Sequence, residues 1–139
     1  MMADNLTFEL VSPERLVASG EASIVTVPGT EGDMGIMANH APVMTTLRPG
    51  LVEAKLEDGT DASFFVRGGF ADITPQGVTV LAEFAVARSE LTAELFAEQK
   101  TKAQAEFDAA TAGKDEAKIA NARSYLEQLN HMEPSILPA

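Results

Sequence analysis

Hydrophobic and polar residues alternate with a short period through the first half of the chain and with a longer one through the second. The stretch NLTFELV, residues 5–11, puts Leu6, Phe8 and Leu10 on one face and Thr7 and Glu9 on the other, the period-two signature of a half-buried strand. ASIVTV, residues 22–27, is β-branched and ends at Pro28-Gly29. LVEAKLE alternates Val52, Ala54 and Leu56 against Glu53, Lys55 and Glu57. Asp58-Gly59 follows, a dipeptide favoured in tight hairpins whose two central residues need positive φ. The run DASFFVRGGFADIT then turns at Pro75-Gln76-Gly77 into VTVLAEFAVA. Short strands punctuated by such turns predict a β-sandwich or barrel over residues 1–88.

Beyond Arg88 the pattern is helical. Gly and Pro thin out, and Ala, Glu, Gln and Lys replace them. Ser89 is placed as an N-cap, and Leu91, Leu95, Ala103, Phe107 and Ala110 fit one stripe with Phe96 beside it. Gly113 stands where a helix C-cap belongs. Asp115 caps a second helix carrying Ile119, Ala122, Leu126 and Leu129 at spacings of three and four. The short Gly-Lys-Asp connection predicts an antiparallel two-helix hairpin within residues 89–139, so the class is α+β. The stripes are narrow and Ala-rich. They leave the hairpin little core of its own, so it is expected to rest on the sandwich or on a partner. The tail HMEPSILPA holds two prolines and is expected to fray.

Composition narrows the function. At 139 residues and 45% hydrophobic, the chain can build one core with an appendage. A net charge of −11 argues against nucleic acid, whose phosphates call for clustered Lys and Arg, and against adsorption to anionic lipid. Cysteine is absent, which removes disulfides, thiolate nucleophiles and Cys-ligated metals. No apolar run approaches the roughly 20 residues a membrane helix needs. The start, MMADNLTFEL, has neither the basic and apolar regions of a signal peptide nor transit-peptide composition. A bacterial cytoplasm is the expected setting.

The stretch PGTEGDMGIMANHAP, residues 28–42, invites several chemical readings. A phosphate cradle fails, because Glu31 and Asp33 lie between the glycines and would repel the ligand. A metal site fails as well: His131 is remote in sequence from His40, and Glu31 with Asp33 lacks the further oxygen ligands of a calcium loop. No His–carboxylate pairing that could serve acid–base catalysis is visible. Catalytic, cofactor-binding and metal-binding residues are therefore expected to be absent. His40 can be a histidine bonded to a loop carbonyl, Glu31 and Asp33 a solvated turn, and Met34 and Met37 ordinary core. The alternative is architectural: the glycines let a short polar tip stand off a rigid β scaffold, a usual place for partner contact.

The segments PGTEGDMGIMANHAPVMTTLRPG, VRGGFADI and VTVLAEFA, in that order and spacing, resemble the epsilon subunit of bacterial F-type ATP synthase. The resemblance is dense over residues 6–88 and extends more loosely over residues 89–130. It implies a ten-stranded β-sandwich at the foot of the central stalk, bound to the gamma subunit and seated on the c-ring. Such a subunit is a non-catalytic rotor part that couples gamma to the ring for ATP synthesis. It lies peripherally on the cytoplasmic face of the inner membrane. Glu31, Gly32 and Asp33 match the family's c-ring contact, and His40 its gamma-facing histidine. A regulatory alternative has the C-terminal helices reach the alpha/beta hexamer and inhibit ATP hydrolysis. Many members open the first helix with an Asp and an Arg that help to bind ATP. The corresponding residues here are Thr92 and Leu95, and the bases Lys114, Lys118 and Arg123 are offset by Asp115, Glu116 and Glu127. On these residues neither ATP binding nor strong inhibition is expected to carry over.

Overall fold

A computed structural model describes residues 5–136, which divide into two compact units on either side of the Arg88–Ser89 bond. The first holds nine strands: β1 (Leu6–Val11), β2 (Leu16–Gly29), β3 (Gly32–Ile36), β4 (Val43–Leu47), β5 (Gly50–Leu56), β6 (Asp61–Val66), β7 (Gly69–Thr74), β8 (Gly77–Ala82) and β9 (Ala85–Ala87). The second holds α1 (Ala93–Gly113) and α2 (Glu116–Ile136), after a short 3-10 turn at Arg88–Glu90.

The strand order is β1-β8-β7-β4-β2-β5-β6-β9, with β3 also on β2 and β1 also on β2. All pairings are antiparallel except β1 with β8. The sandwich closes through β2, a 14-residue strand. Its first half pairs β1, its middle pairs β5, and its end pairs β3 and, at Gly29, β4. Register with β5 shifts between Ala22 and Ile24, a bulge-type irregularity. A tenth strand was expected. Nine stand among the described residues, because β2 runs unbroken through this irregularity.

The alternating residues meet inside. Leu6, Phe8 and Leu10 are buried, as are Val52 and Ala54 of β5 and Val78, Val80 and Ala82 of β8. Phe8 of β1 and Phe64 of β6 approach with ring centroids 6.1 Å apart, within the range of favourable aromatic pairs. Every buried member of this core cluster lies between Leu6 and Ala85. The β5–β6 turn differs from the sequence expectation. Four residues, 57–60, separate the strands, and only Gly59 takes positive φ (88°), with its N–H bonded to the Leu56 carbonyl. Asp58 instead accepts the Thr60 amide on its side chain, so a longer Asx-type turn replaces the tight one.

In the second unit the helices pair antiparallel: Lys100 of α1 bonds Glu133 of α2 at 2.8 Å, and Arg123 of α2 lies over the Phe107 ring of α1. The caps shift by a few residues. Thr92, not Ser89, is the N-cap of α1, because Ser89 is taken up in the 3-10 turn. Helix α1 runs through Gly113, and Lys114 takes the left-handed cap position at φ 58°. Asp115 caps α2 as expected, accepting the Ala117 and Lys118 amides. The buried residues of α1 are Phe96, Gln99 and Ala103, so Phe96 centres the stripe and Leu95 is only half-buried. The expected fraying at HMEPSILPA is overturned for residues 131–136, which continue α2 past Pro134. Met132 and Ile136 extend the buried stripe from Leu129, and the Lys100–Glu133 pair ties the same turn to α1. These contacts outweigh one missing helix N–H. The last three residues of that tail lie outside the described range.

Candidate functional site

The glycine-rich stretch forms the β2–β3 hairpin. Gly29 pairs with Gly32, leaving Thr30 and Glu31 as the two-residue tip. Gly32 has φ 136°, a conformation that a side chain would resist, and a Cβ on Gly29 would come within 2.7 Å of the Gly32 carbonyl oxygen. Glycines at both positions are thus what lets the chain reverse in two residues. Glu31, Gly32 and Asp33 are all exposed.

Asp33 is more than a solvated turn residue. Its Oδ1 lies 2.8 Å from Nη2 of Arg48, the residue that follows β4. Nη1 of the same guanidinium donates to the Gly29 carbonyl at 2.7 Å. Main-chain bonds from Thr30 N–H to the Thr46 carbonyl and from Arg48 N–H to the Pro28 carbonyl complete the seat. A second ion pair, Arg67–Glu83 at 3.3 Å, joins the β6–β7 and β8–β9 connections at this same end of the sandwich. Sequence reasoning passed over both arginines. The signal available for Arg48 was a lone base immediately before the turn residues Pro49-Gly50.

His40 sits elsewhere. It lies in the 37–42 connection at the far end of β3, about 15 Å from the tip at ~3.3 Å per strand residue. Its Nδ1 is 2.7 Å from the Ala41 carbonyl oxygen, a contact that puts the proton on Nδ1. The connection is anchored by the Asn39 N–H to the Pro75 carbonyl. The structure thus brings Glu31, Gly32 and Asp33 together and keeps His40 apart from them. Met34 is half-buried and packs on the core, whereas Met37, also expected in the core, is 60% exposed. Ile36 before it points inward, so pleating turns Met37 out.

Other large apolar side chains are exposed as well. Met44 is 62% exposed, and the β4–β7–β8 registers place it on one outward face with Phe70 and Leu81. Phe70 lies directly opposite Leu81. Among the described residues no group of three or more His, Asp or Glu side chains is placed to hold a metal, and no helix is long and apolar enough to cross a membrane.

Residues 5–88 match the family described as ATP synthase, Delta/Epsilon chain, beta-sandwich domain. The chain belongs to the ATP synthase epsilon-chain family. It is 51% identical over 132 residues to the ATP synthase epsilon chain of Parvibaculum lavamentivorans, covering 95% of this chain and 96% of that one. To the ATP synthase epsilon chain of Mesorhizobium japonicum it is 47% identical over 138 residues, covering 99% and 100%. The fold recurs in a chain of the Euglena gracilis mitochondrial ATP synthase structure that includes OSCP, F1 and the c-ring, with a TM-score of 0.68 at 24% identity over 98% of this chain and 83% of that one. It recurs again in the central stalk and c-ring structure of the Tetrahymena thermophila enzyme, with a TM-score of 0.53 at 16% identity over 69% and 76%. Like the epsilon chains it matches, the protein is a subunit type of ATP synthase and carries the β-sandwich with two C-terminal helices.

Proposed function

We propose that this epsilon-family chain is a non-catalytic rotor subunit that couples the gamma subunit to the c-ring. The supporting observation is that one sandwich carries two unlike surfaces, a polar hairpin tip and an apolar outer face. One end carries the polar hairpin tip with Glu31, Gly32 and Asp33, suited to polar loops of the ring. The outer face of β4, β7 and β8 carries Met44, nearer the His40 connection, with Phe70 and Leu81, nearer the tip, and this apolar face is suited to gamma. A stiff body that holds a different partner on each surface transmits torque without doing chemistry. The complex it serves would hold it peripherally on the cytoplasmic face of a bacterial inner membrane. The inhibitory alternative, with the helices reaching the alpha/beta hexamer, has less support: Arg123, one of the few bases of α2, lies against Phe107 of α1.

Charge reversal at the tip tests this reading. Like charges facing across an interface cost up to several kcal/mol, and the site is an exposed turn, so Glu31→Lys with Asp33→Lys should loosen the ring contact while the sandwich still folds. In inverted membrane vesicles ATP hydrolysis should persist while proton pumping, followed by quenching of an acid-sensitive dye, falls. Pumping equal to wild type at equal hydrolysis would show that the tip is only a turn.

A further inference from the structure

We infer that Arg48 is the positioning residue of the ring-facing tip: it fixes the β2–β3 hairpin in the one geometry that meets the ring and sets the charge that the tip presents. The inference rests on the reading of residues 31–33 as the ring contact.

The geometry carries it. The exposed two-residue hairpin end is tied to β4 by the main-chain bond from Thr30 N–H to the Thr46 carbonyl, but Gly29 and Gly32 beside it bring no side chain to anchor it and give it freedom rather than rigidity. Arg48 supplies what is missing. Its planar guanidinium reaches the last residue of β2 with Nη1 and the second residue of β3 with Nη2, at 2.7 and 2.8 Å. One rigid fork thus spans both legs of the hairpin just below the tip. Arg48 stands beside the leg because Leu47 pairs with Gly29, and its own N–H is held by the Pro28 carbonyl. The guanidinium side chain is 28% exposed, whereas Asp33 is 66% exposed and keeps open surface for a partner. Charge-assisted bonds of this length are stronger than neutral ones, and a fork cannot be replaced by a point charge without loss of geometry.

The second consequence is electrostatic. Glu31 and Asp33 read alone give the tip two negative charges. With Arg48 bonded to Asp33, the tip carries one net negative charge, and Glu31 is its unpaired carboxylate among the described residues. Removal of the guanidinium therefore both frees the hairpin and doubles the negative charge facing the partner. A contact whose groups are already in place avoids the ordering entropy that a loose loop would spend on each encounter.

The test uses the full chain, alone and in the assembled complex, with Arg48→Gln and Arg48→Lys. In the isolated protein, hydrogen exchange of the amides of residues 29–33 should quicken about three- to tenfold in Arg48→Gln, while amides of β6 and β8 hold their wild-type rates. In inverted vesicles the ratio of protons pumped to ATP hydrolysed should fall at least about twofold, and Arg48→Lys, which keeps the charge but not the fork, should recover part of it. Exchange at residues 29–33 unchanged from wild type would overturn the inference. So would quickened exchange with a normal coupling ratio. In that case Glu31→Lys with Asp33→Lys tells the two failures apart: if it uncouples, the ring contact stands and only the role of Arg48 falls; if it too is fully coupled, the ring contact itself falls.

Discussion

Thr92 Oγ1 accepts the backbone N–H of Leu95 at 3.1 Å, which makes the pair the first capping contact of α1. Thr92 has extended backbone angles, φ −106° and ψ 164°, as a cap requires. Thr92 thus caps the helix without a charge, and Leu95 beside it is half-buried. Thr92→Ala should cost the helical unit about 1 kcal/mol, and Thr92→Asp should hold its stability. Thermal unfolding followed at 222 nm checks both. The same two residues predict that the protein does not bind Mg-ATP at millimolar levels or tighter, since a charge-assisted phosphate contact contributes ~1.5–3 kcal/mol. A clear sub-millimolar isotherm on titration would contradict this.

A chain ending at Arg88 should fold by itself. Its core cluster is complete between Leu6 and Ala85, and Phe8 meets Phe64 without help from the helices. The truncated protein should melt cooperatively and leave hydrophobic dyes unbound. In membrane vesicles it should also support ATP synthesis near the full-length rate, because both proposed partner surfaces lie before Arg88. Collapse of synthesis with a folded sandwich would mean that the helices help to hold the rotor together.

The outward apolar face should matter for assembly and hardly at all for stability. Met44 and Phe70 are 62% and 40% exposed, so Met44→Ser with Phe70→Ser should change unfolding free energy by less than about 1 kcal/mol. Recovery of gamma with the tagged double variant should drop sharply. By contrast Phe8→Ala, at a position 1% exposed, should cost about 3–5 kcal/mol. Wild-type recovery of gamma by the surface variant would move the gamma contact to another face.

Asp58 offers a pH readout. The Thr60 side chain, and then the Thr60 backbone N–H, hold its carboxyl below the ordinary 3.8. A depressed folded-state value means that the ionised turn contributes stability above the unfolded value, and that this contribution is lost as pH falls through the lowered one. The carboxyl resonance of Asp58 should titrate with a midpoint below 3.8, and Thr60→Ala should move the midpoint upward. A midpoint unmoved by Thr60→Ala would assign the shift to the backbone bond instead.

Much of the scaffold was legible in the order of residues, because period and punctuation are local properties. Alternation identified β1 and β5 and their buried faces, and Asp115 announced the start of α2 through a bond that spans two or three residues. The glycines of the 29–32 turn were readable for the same reason: a two-residue reversal requires them wherever it occurs. Tertiary structure decided what depends on distant neighbours. Arg48 meets Gly29 and Asp33 across 19 and 15 residues of chain only because β4 comes to lie beside the end of β2, and no local pattern carries that proximity. Pro134 reads as a helix breaker in isolation, yet α2 continues past it because Glu133 reaches Lys100 on the other helix. Met37 reads as core by composition and stands in solvent, because the pleat that buries Ile36 must turn the next residue outward. Local chemistry determined which elements form. The close approach of segments far apart in the chain determined which side chains are held, paired or left open to a partner.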